Sequence, residues 1–523
     1  MRTRAAAVAG LLAGALALGV AELLAALVSP TASPVLAVGG AFVDATPTWL
    51  KNFAVETFGT ADKLVLLVGI GVVVALLAGV AGVVASRRWA FGALLVVALG
   101  VVAAVAAATR PGAGVLDPAP SLLGAAAGLF ALRLMLDRLP GSVPHLGSHA
   151  ARADRDPGRA GEETSDAGRS RRAFLGAAGG TALVAFLSVG AGRLVSGASR
   201  SVAAARTALR LPSPAVPAPP LPKGAQAPVA GMPPFVTPAD TFYRVDTALL
   251  LPEVEASGWR LRVHGMVERE VRLDFQDLMR SDLVEAWVTL CCVSNEVGGP
   301  LVDNARWLGL PVRQVLARAG PKAGADMVLS TSADGFTAST PLSVLTDDRN
   351  ALLAVGMNGR PLPVAHGYPV RMVVPGLYGY VSATKWVVDL QVTRFADRTA
   401  YWTDRGWAPR GPVKTMSRID VPGPSAQVAA GTVAVGGTAW AQHRGISRVE
   451  VRVDGGPWQD ATLSDDVGVD SWRQWWFRWG AQPGEHRLEV RATDGTGAVQ
   501  TGDEAAPFPD GASGWHSLTV TVT

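Results

Sequence analysis

Cysteine is almost missing: 523 residues hold only two, adjacent at Cys291 and Cys292. That excludes a disulfide framework and any zinc or iron–sulfur site built from several cysteines. What remains is free thiols or a single metal ligand. No Cys-x-x-Cys-His occurs, so no c-type haem is attached. Charge is scarce too. Charged residues make up 17% and hydrophobic ones 49%, with a mean hydropathy of +0.27. An ordinary soluble domain carries about 25% charged residues, so this chain is neither disordered nor wholly soluble. A net charge of +4 is too slight for a nucleic-acid partner.

The apolar surplus lies in the first 200 residues. Residues 5–28, 64–86, 89–109, 118–136 and 173–192 are each near the roughly 20 apolar residues that a bilayer span needs. They predict an all-α bundle of five transmembrane helices, the fourth interrupted by Arg133. Besides Arg133, Glu22 is the exception in otherwise apolar spans, and none contains histidine. The spans therefore read as an anchor without haem b. Basic residues cluster at Arg2 and Arg4, at Arg87 and Arg88, and along 138–172, whereas 29–61 and 110–117 are poor in them. This places the N-terminus in the cytoplasm and everything after the fifth helix outside. Ser170-Arg171-Arg172-Ala173-Phe174-Leu175 precedes that helix and looks like an internal twin-arginine export signal. The same arginines also serve as positive-inside flanks.

Nine prolines between 205 and 237 predict an extended, semi-rigid spacer over 201–238. Beyond it the long apolar runs give way to alternation, and 13 of the 15 tryptophans follow residue 230. Residues 239–410 read as mixed α and β, with strands at 259–264, 271–273, 284–290, 327–331, 370–374 and 386–392. Helices are expected at 275–279 and 312–318, the second capped by Gly320. Residues 411–523 read as all β. Residues 447–453 and 486–492 alternate strictly, and Asp454-Gly455-Gly456 signals a turn. The regular spacing suggests an immunoglobulin-like sandwich. Trp472, Trp475, Trp476 and Trp479 fall in that region and read as core or dimer contact.

The strand at 284–290 delivers its two cysteines into Val293-Ser294-Asn295-Glu296-Val297-Gly298-Gly299. One thiolate cannot complete a tetrahedral zinc site. Taken alone, the pair is open to three readings: buried apolar residues, a nucleophile, or a lone ligand to a metal held mainly by an organic cofactor. Ala305-Arg306-Trp307-Leu308-Gly309 follows, then residues 357–363, His366-Gly367-Tyr368-Pro369-Val370-Arg371, Pro375-Gly376-Leu377-Tyr378-Gly379 and Thr384-Lys385-Trp386. In that order and spacing the chain resembles the sulfite oxidase family of molybdopterin-dependent oxidoreductases. Cys292-Val293-Ser294-Asn295 matches the family's Cys-x-x-Asn loop. Residues 437–440 and 451–458 resemble its immunoglobulin-like dimerisation domain, which implies a homodimer.

The resemblance implies a mononuclear molybdenum–molybdopterin cofactor with Cys292 as metal ligand and catalytic centre. Strand alternation leaves Cys291 to packing. It further implies that His366 and Arg371 contact the pterin and phosphate, and that Ala383, Thr384 and Lys385 hold the phosphate end. Tyr243 and Arg244, of Phe242-Tyr243-Arg244, and Ser332 complete the cofactor set. Two departures put sulfite in question as substrate. Glu296 and Val297 stand where the family carries two arginines, and the family's active-site tyrosine falls near Trp407. Arg405, Arg410, Lys414, Arg418 and Arg473 are candidates to restore positive charge. The expectation is an extracytoplasmic, multi-pass membrane enzyme performing two-electron oxygen-atom transfer on a small molecule. Electrons pass to an unidentified protein or to quinone. The alternatives are an S- or N-oxide reductase on the same fold, or a non-catalytic binding module.

Overall fold

A computed structural model describes residues 2–29, 32–47, 50, 57, 62–110, 113–139, 174–186 and 198–523 except 250. The chain forms two compact units, Met1–Ser199 and Arg200–Thr523.

Among the described residues of the first unit four helices are long and apolar enough to cross a membrane: Thr3–Val28, Leu64–Arg87, Trp89–Ala108 and Ala119–Leu136. Small residues bring them together. A Cβ on Gly10 would lie 2.1 Å from the carbonyl oxygen of Ala78, and one on Gly82 the same distance from that of Ala6. Such close backbone approach is how helices associate where lipid removes the hydrophobic drive. Leu64, Val68, Val72 and Leu76 point outward and are more than half exposed. The fifth predicted span appears as the shorter helix Phe174–Phe186. Its remainder lies outside the described residues, as do Arg171, Arg172 and the basic segment 140–173. The expected loop at 29–61 contains a further helix, Pro34–Ala45, started by Ser33, whose Oγ accepts from the Leu36 N–H.

The second unit is built on four sheets. One has the order Val271–Asp274, Arg260–Gly265, Val387–Thr393, Met327–Ser332, Thr337–Pro341. Only its pairing of Arg260–Gly265 with Val387–Thr393 is parallel. A second runs Val284–Cys291, Val302–Pro311, Leu352–Met357, Arg360–Pro361, with Arg371–Val373 also on Leu352–Met357. Helix Phe275–Met279 starts in a capping box between Asp274 and Asp277, and Val312–Ala319 ends at Gly320 with φ +68°. Trp259, Trp307 and Trp386 are almost fully buried between these layers.

The last hundred residues form a four-stranded and a five-stranded sheet. Trp475, Trp479, Val435 and Ala439 from the first meet Val449, Val451, Leu488 and Val490 from the second in one core. Each buried Val or Leu there contributes roughly 1.5–3 kcal/mol. Trp472 packs instead into the core of the preceding sheets, and Trp476 is half-buried.

The proline-rich segment is extended, as its composition predicts, but it lies along the second unit instead of reaching away from it. The Ala215 N–H donates to Leu283 O, the Glu285 N–H to Val216 O, and the Ala227 N–H to Gln474 Oε1. Ala225 and Phe235 are core residues. Apolar side chains between the prolines draw the segment onto the fold.

Candidate active site

The strand Val284–Cys291 pairs antiparallel with Val302–Pro311, and Cys291 lies opposite Val302. Cys291 is 2% exposed and packs in the core. Cys292 lies just beyond the strand, where its N–H donates to Leu301 O at 3.0 Å, and its side chain lines an open cleft. Alternation along the chain thus separates the two thiols. Asn295 closes the loop: its N–H donates to Cys292 O at 3.1 Å and its Oδ1 accepts from the Leu301 N–H at 2.7 Å. That bond pair explains the Cys-x-x-Asn spacing physically. Burial raises the Cys292 thiol pKa, and hydrogen bonds from Ser294 and the charge on Lys385 work against that rise.

The cleft encloses about 920 Å³, part of it open to solvent. Seven of the nine predicted site residues line it: Tyr243, Cys292, Ser332, His366, Arg371, Ala383 and Lys385. Thr384 and Arg244 do not. Thr384 is fully buried behind the wall, its Oγ1 2.7 Å from Ser330 Oγ. Arg244 is 41% exposed and pairs with Asp246 at 2.8 Å.

Arg371 is 4% exposed. Its guanidinium donates to the carbonyl oxygens of Met372 and His366, both at 3.2 Å, and at 3.5 Å to that of Ala383. It lies 5.1 Å from the Trp307 ring centre. No carboxylate pairs with it among the described residues, and burial lowers its pKa to about 10. A buried cation held only by dipoles is arranged for an anion yet to come. Lys385 differs, because Asp246 already pairs with it at 2.9 Å and Ala365 O accepts at 3.2 Å. Burial lowers its pKa to about 8 even so. Burial, then the charges of Arg371 and Lys385, lower that of His366 to about 4. Its ring is therefore neutral at pH 7. Since a carbonyl only accepts, Nε2 carries the hydrogen it shares with Ala239 O at 2.9 Å, leaving Nδ1 as an acceptor.

Tyr243 is held by its backbone: its N–H donates to Asp303 Oδ2 at 2.6 Å, and Thr237 Oγ1 donates to the other carboxylate oxygen. Asp303 lies opposite Leu290, two residues before Cys292, so one carboxylate ties the Tyr243 segment to the cysteine strand. Sequence reasoning missed Asp303 and Asp246, and also the aromatic wall of Phe336, Tyr380 and Trp402. Only Trp407 was singled out, and it lines the cleft with them. Trp407 comes from the resemblance, as the position near which the family's active-site tyrosine falls; the others carry no signal beyond being aromatic.

Glu296 and Val297 are not lining residues, and Glu296 is exposed. Nor do the five candidate cations line the cleft. Arg405 stacks 3.6 Å from the Tyr401 ring centre, and Arg410 lies over Phe395. Lys414 pairs with Asp510, Arg418 with Asp420, and Arg473 donates to Ser464 O and Ile446 O.

The family model described as the oxidoreductase molybdopterin binding domain matches residues 248–402. An uncharacterized oxidoreductase of Bacillus subtilis (strain 168), YuiH, is 33% identical over 153 residues, covering 29% of this chain and 74% of its own length. This chain belongs to the sulfite oxidase family of molybdopterin-dependent oxidoreductases. Mitochondrial sulfite oxidase of Mus musculus is 30% identical over 343 residues, covering 55% of this chain. The chain spans 62% of that relative's length. Among solved structures, the sulfane dehydrogenase SoxCD from Paracoccus pantotrophus has a TM-score of 0.49 and 23% identity. The match covers 56% of this chain and 84% of that one.

The family's cofactor is molybdenum–molybdopterin, and the donor set fits it. Among the described residues no group of three His, Cys, Asp or Glu side chains could hold a metal by itself. The single thiol of Cys292 instead suits a metal whose other ligands arrive with an organic group. The uncompensated Arg371 suits that group's anionic parts.

Proposed function

We propose that this chain is a sulfite-oxidase-like enzyme that transfers an oxygen atom, with two electrons, between water and a small substrate. The observation that carries this reading is the convergence of Cys292 with Arg371 and Lys385 in one cleft, the guanidinium buried against carbonyls and the Trp307 ring. When bound, the molybdenum cofactor supplies the two-electron couple. The chain's own residues hold and orient. Cys292 is the metal ligand, kept from water by burial. Arg371 donates to the anionic side of the pterin, and His366 accepts through Nδ1. Lys385 still has one hydrogen beyond those given to Asp246 and Ala365, and it meets the phosphate at the Ala383–Lys385 segment. Thr384 shapes that segment from behind. Tyr243 and Ser332 line the groove, and Arg244 braces Asp246 beneath Lys385.

The same proposal covers the rest of the chain. Residues 1–200 anchor it as a multi-pass membrane protein, a reading supported by the four long apolar helices. Residues 201–238 connect this anchor to a catalytic domain at 239–410, which lies outside the cytoplasm. Residues 411–523 are an immunoglobulin-like pair of sheets that brings two chains together. Arg171 and Arg172 direct export of the loaded domain, and a protein or quinone takes or gives the electrons. Replacing both arginines by Lys keeps the positive charge but removes the guanidinium pair. External protease is expected to cut the wild-type domain and spare the variant. Equal cutting reduces the pair to a topology signal. The central test is composition. Purified protein is expected to contain about one molybdenum and one pterin per chain, and none above background refutes the enzyme reading.

A further inference from the structure

The cleft's charge is already committed. Among the described residues its lining holds two cations, Arg371 and Lys385, and two carboxylates, Asp246 and Asp334. His366 is neutral, for the reasons given above. Seating a phosphate-bearing cofactor on the two cations turns the lining net negative. No lining cation is left for a doubly charged substrate, which would have to lose its hydration without a charged partner.

Beside the hydroxyls of Thr247, Ser294 and Ser332, much of what remains is aromatic. Phe336, Trp402 and Trp407 line the cleft on segments separate from those that carry the cations, and Tyr380 joins them from five residues before Lys385. Their rings form a connected wall. Centroids lie 5.8 Å apart for Phe336 and Tyr401, 5.1 Å for Tyr401 and Trp402, and 6.2 Å for Trp402 and Trp407. Trp407 also meets Tyr380 at 5.9 Å and the half-exposed Phe508 at 5.4 Å, which brings the wall to the surface. The Tyr380 hydroxyl is occupied, since it donates to Ala408 O at 2.5 Å. Trp407 Nε1 is buried without a hydrogen-bond partner among the described residues, so the wall offers ring faces and edges and one N–H donor.

We propose that the site takes an uncharged substrate with a flat apolar body, and that Trp407 is a specificity-determining residue. This rests on the cofactor reading above. Aromatic faces bind such a body by stacking and by sulfur–ring contact. The same wall offers an oxyanion no lining cation, only the neutral Trp407 N–H.

The test uses the full-length protein isolated with its cofactor, whose molybdenum and pterin contents are measured first. Two unreactive probes, methyl phenyl sulfone and sulfate, share a tetrahedral sulfur and differ in charge. By isothermal titration calorimetry the sulfone is expected to bind at least tenfold more tightly. Trp407→Ala is expected to weaken the sulfone at least tenfold with molybdenum content unchanged, and Trp407→Arg to reverse the order of the probes. Sulfate binding as tightly as the sulfone, or an unchanged sulfone affinity in Trp407→Ala, overturns the proposal. Loss of molybdenum in Trp407→Ala also overturns it, by making Trp407 a cofactor support. Absence of molybdenum from the wild type overturns the cofactor reading, and this inference with it.

Discussion

Replacing Arg371 by Met removes a charge while keeping most of the volume, and its two effects should separate. In the cofactor-free protein the guanidinium is held at a cost. A fall in pKa from 12.5 to about 10 corresponds to about 3 kcal/mol at neutral pH, at 1.36 kcal/mol per pH unit. The sign is unambiguous: a base whose folded pKa is lowered destabilises the fold throughout the range below that pKa, so the cost stands in full at pH 7. Against it stand hydrogen bonds to Met372 O and His366 O, a longer one to Ala383 O, and the Trp307 ring. Each contributes about 1 kcal/mol. The two sides nearly cancel, so Arg371→Met should change the stability of the empty protein by no more than about 2 kcal/mol, a few degrees in Tm. Cofactor retention should collapse instead. A charge-assisted contact is worth about 1.5–3 kcal/mol, and a desolvated guanidinium offers more than one. The expected loss of affinity is roughly a hundredfold or more. Thermal melts on protein from cells unable to make the pterin give the first number, and molybdenum content from competent cells gives the second. Wild-type molybdenum in the variant, or an empty variant melting more than about 10 °C lower, refutes the reasoning, the latter by making Arg371 a structural residue.

Cys292→Ser is expected to abolish molybdenum retention. Cys291→Ser should keep it and lower stability by about 1–3 kcal/mol, the cost of burying a shorter hydroxyl where the thiol reaches Cys292 O only at 3.5 Å; metal that followed Cys291 would invert the assignment. Thr289→Val removes a hydroxyl that donates to Asn304 Oδ1 at 3.0 Å and accepts from the Trp472 N–H at 2.7 Å. A loss of about 1–3 kcal/mol is expected, read by denaturant unfolding, and an unchanged midpoint would count against it. Burial raises the pKa of Asp303 to about 6, so its stabilising share is complete below about pH 3.8 and disappears as pH rises through 6. Asp303→Asn keeps an acceptor for the Tyr243 N–H and should flatten the pH dependence of Tm between 4 and 6; an unchanged slope would mean that Asp303 titrates normally.

The candidate site residues came from the resemblance, through short motifs in matching order and spacing. Cys292, His366, Arg371 and Lys385 stand out in a chain with two cysteines, seven histidines and little charge. The cleft brings those four together. Local strands and helices were equally plain where alternation or a cap marks them, as at Arg260–Gly265 and at Gly320. What stayed hidden depends on long-range pairing. Val302–Pro311 begins with Val-Asp-Asn, and its role as partner to the cysteine strand is set by register, not by propensity. Asp303 acquires meaning only because that register brings it to Tyr243. Arg244 and Lys385 both read as free cations, because their shared partner Asp246 is ordinary in sequence and near Lys385 only in space.

The clearest gap concerns what supports the metal-ligand strand. An outer strand leaves a row of unpaired N–H and C=O groups that must be covered. Val284–Cys291 is outermost in its sheet, and two remote segments cover it in succession. The proline-rich segment takes the first part: Ala215 and Val216, where the run of prolines is interrupted, bond to Leu283 and Glu285. The C-terminal sheets take the second. The Thr289 N–H donates to Asp470 O, its carbonyl accepts from Gln442 Nε2 at 3.1 Å, and its hydroxyl accepts from the Trp472 N–H. Arg418 then reaches past the cysteines to Gly299 O at 2.7 Å, fixing the far end of the loop. A segment that composition marks as a spacer and a domain that the resemblance marks as dimerising thus hold the backbone on both sides of Cys292. A single thiol ligand cannot fix its own position, because its side chain rotates and its loop is rich in glycine. Rigid placement has to come from the chain on either side, and here that chain is held by residues up to 183 positions away.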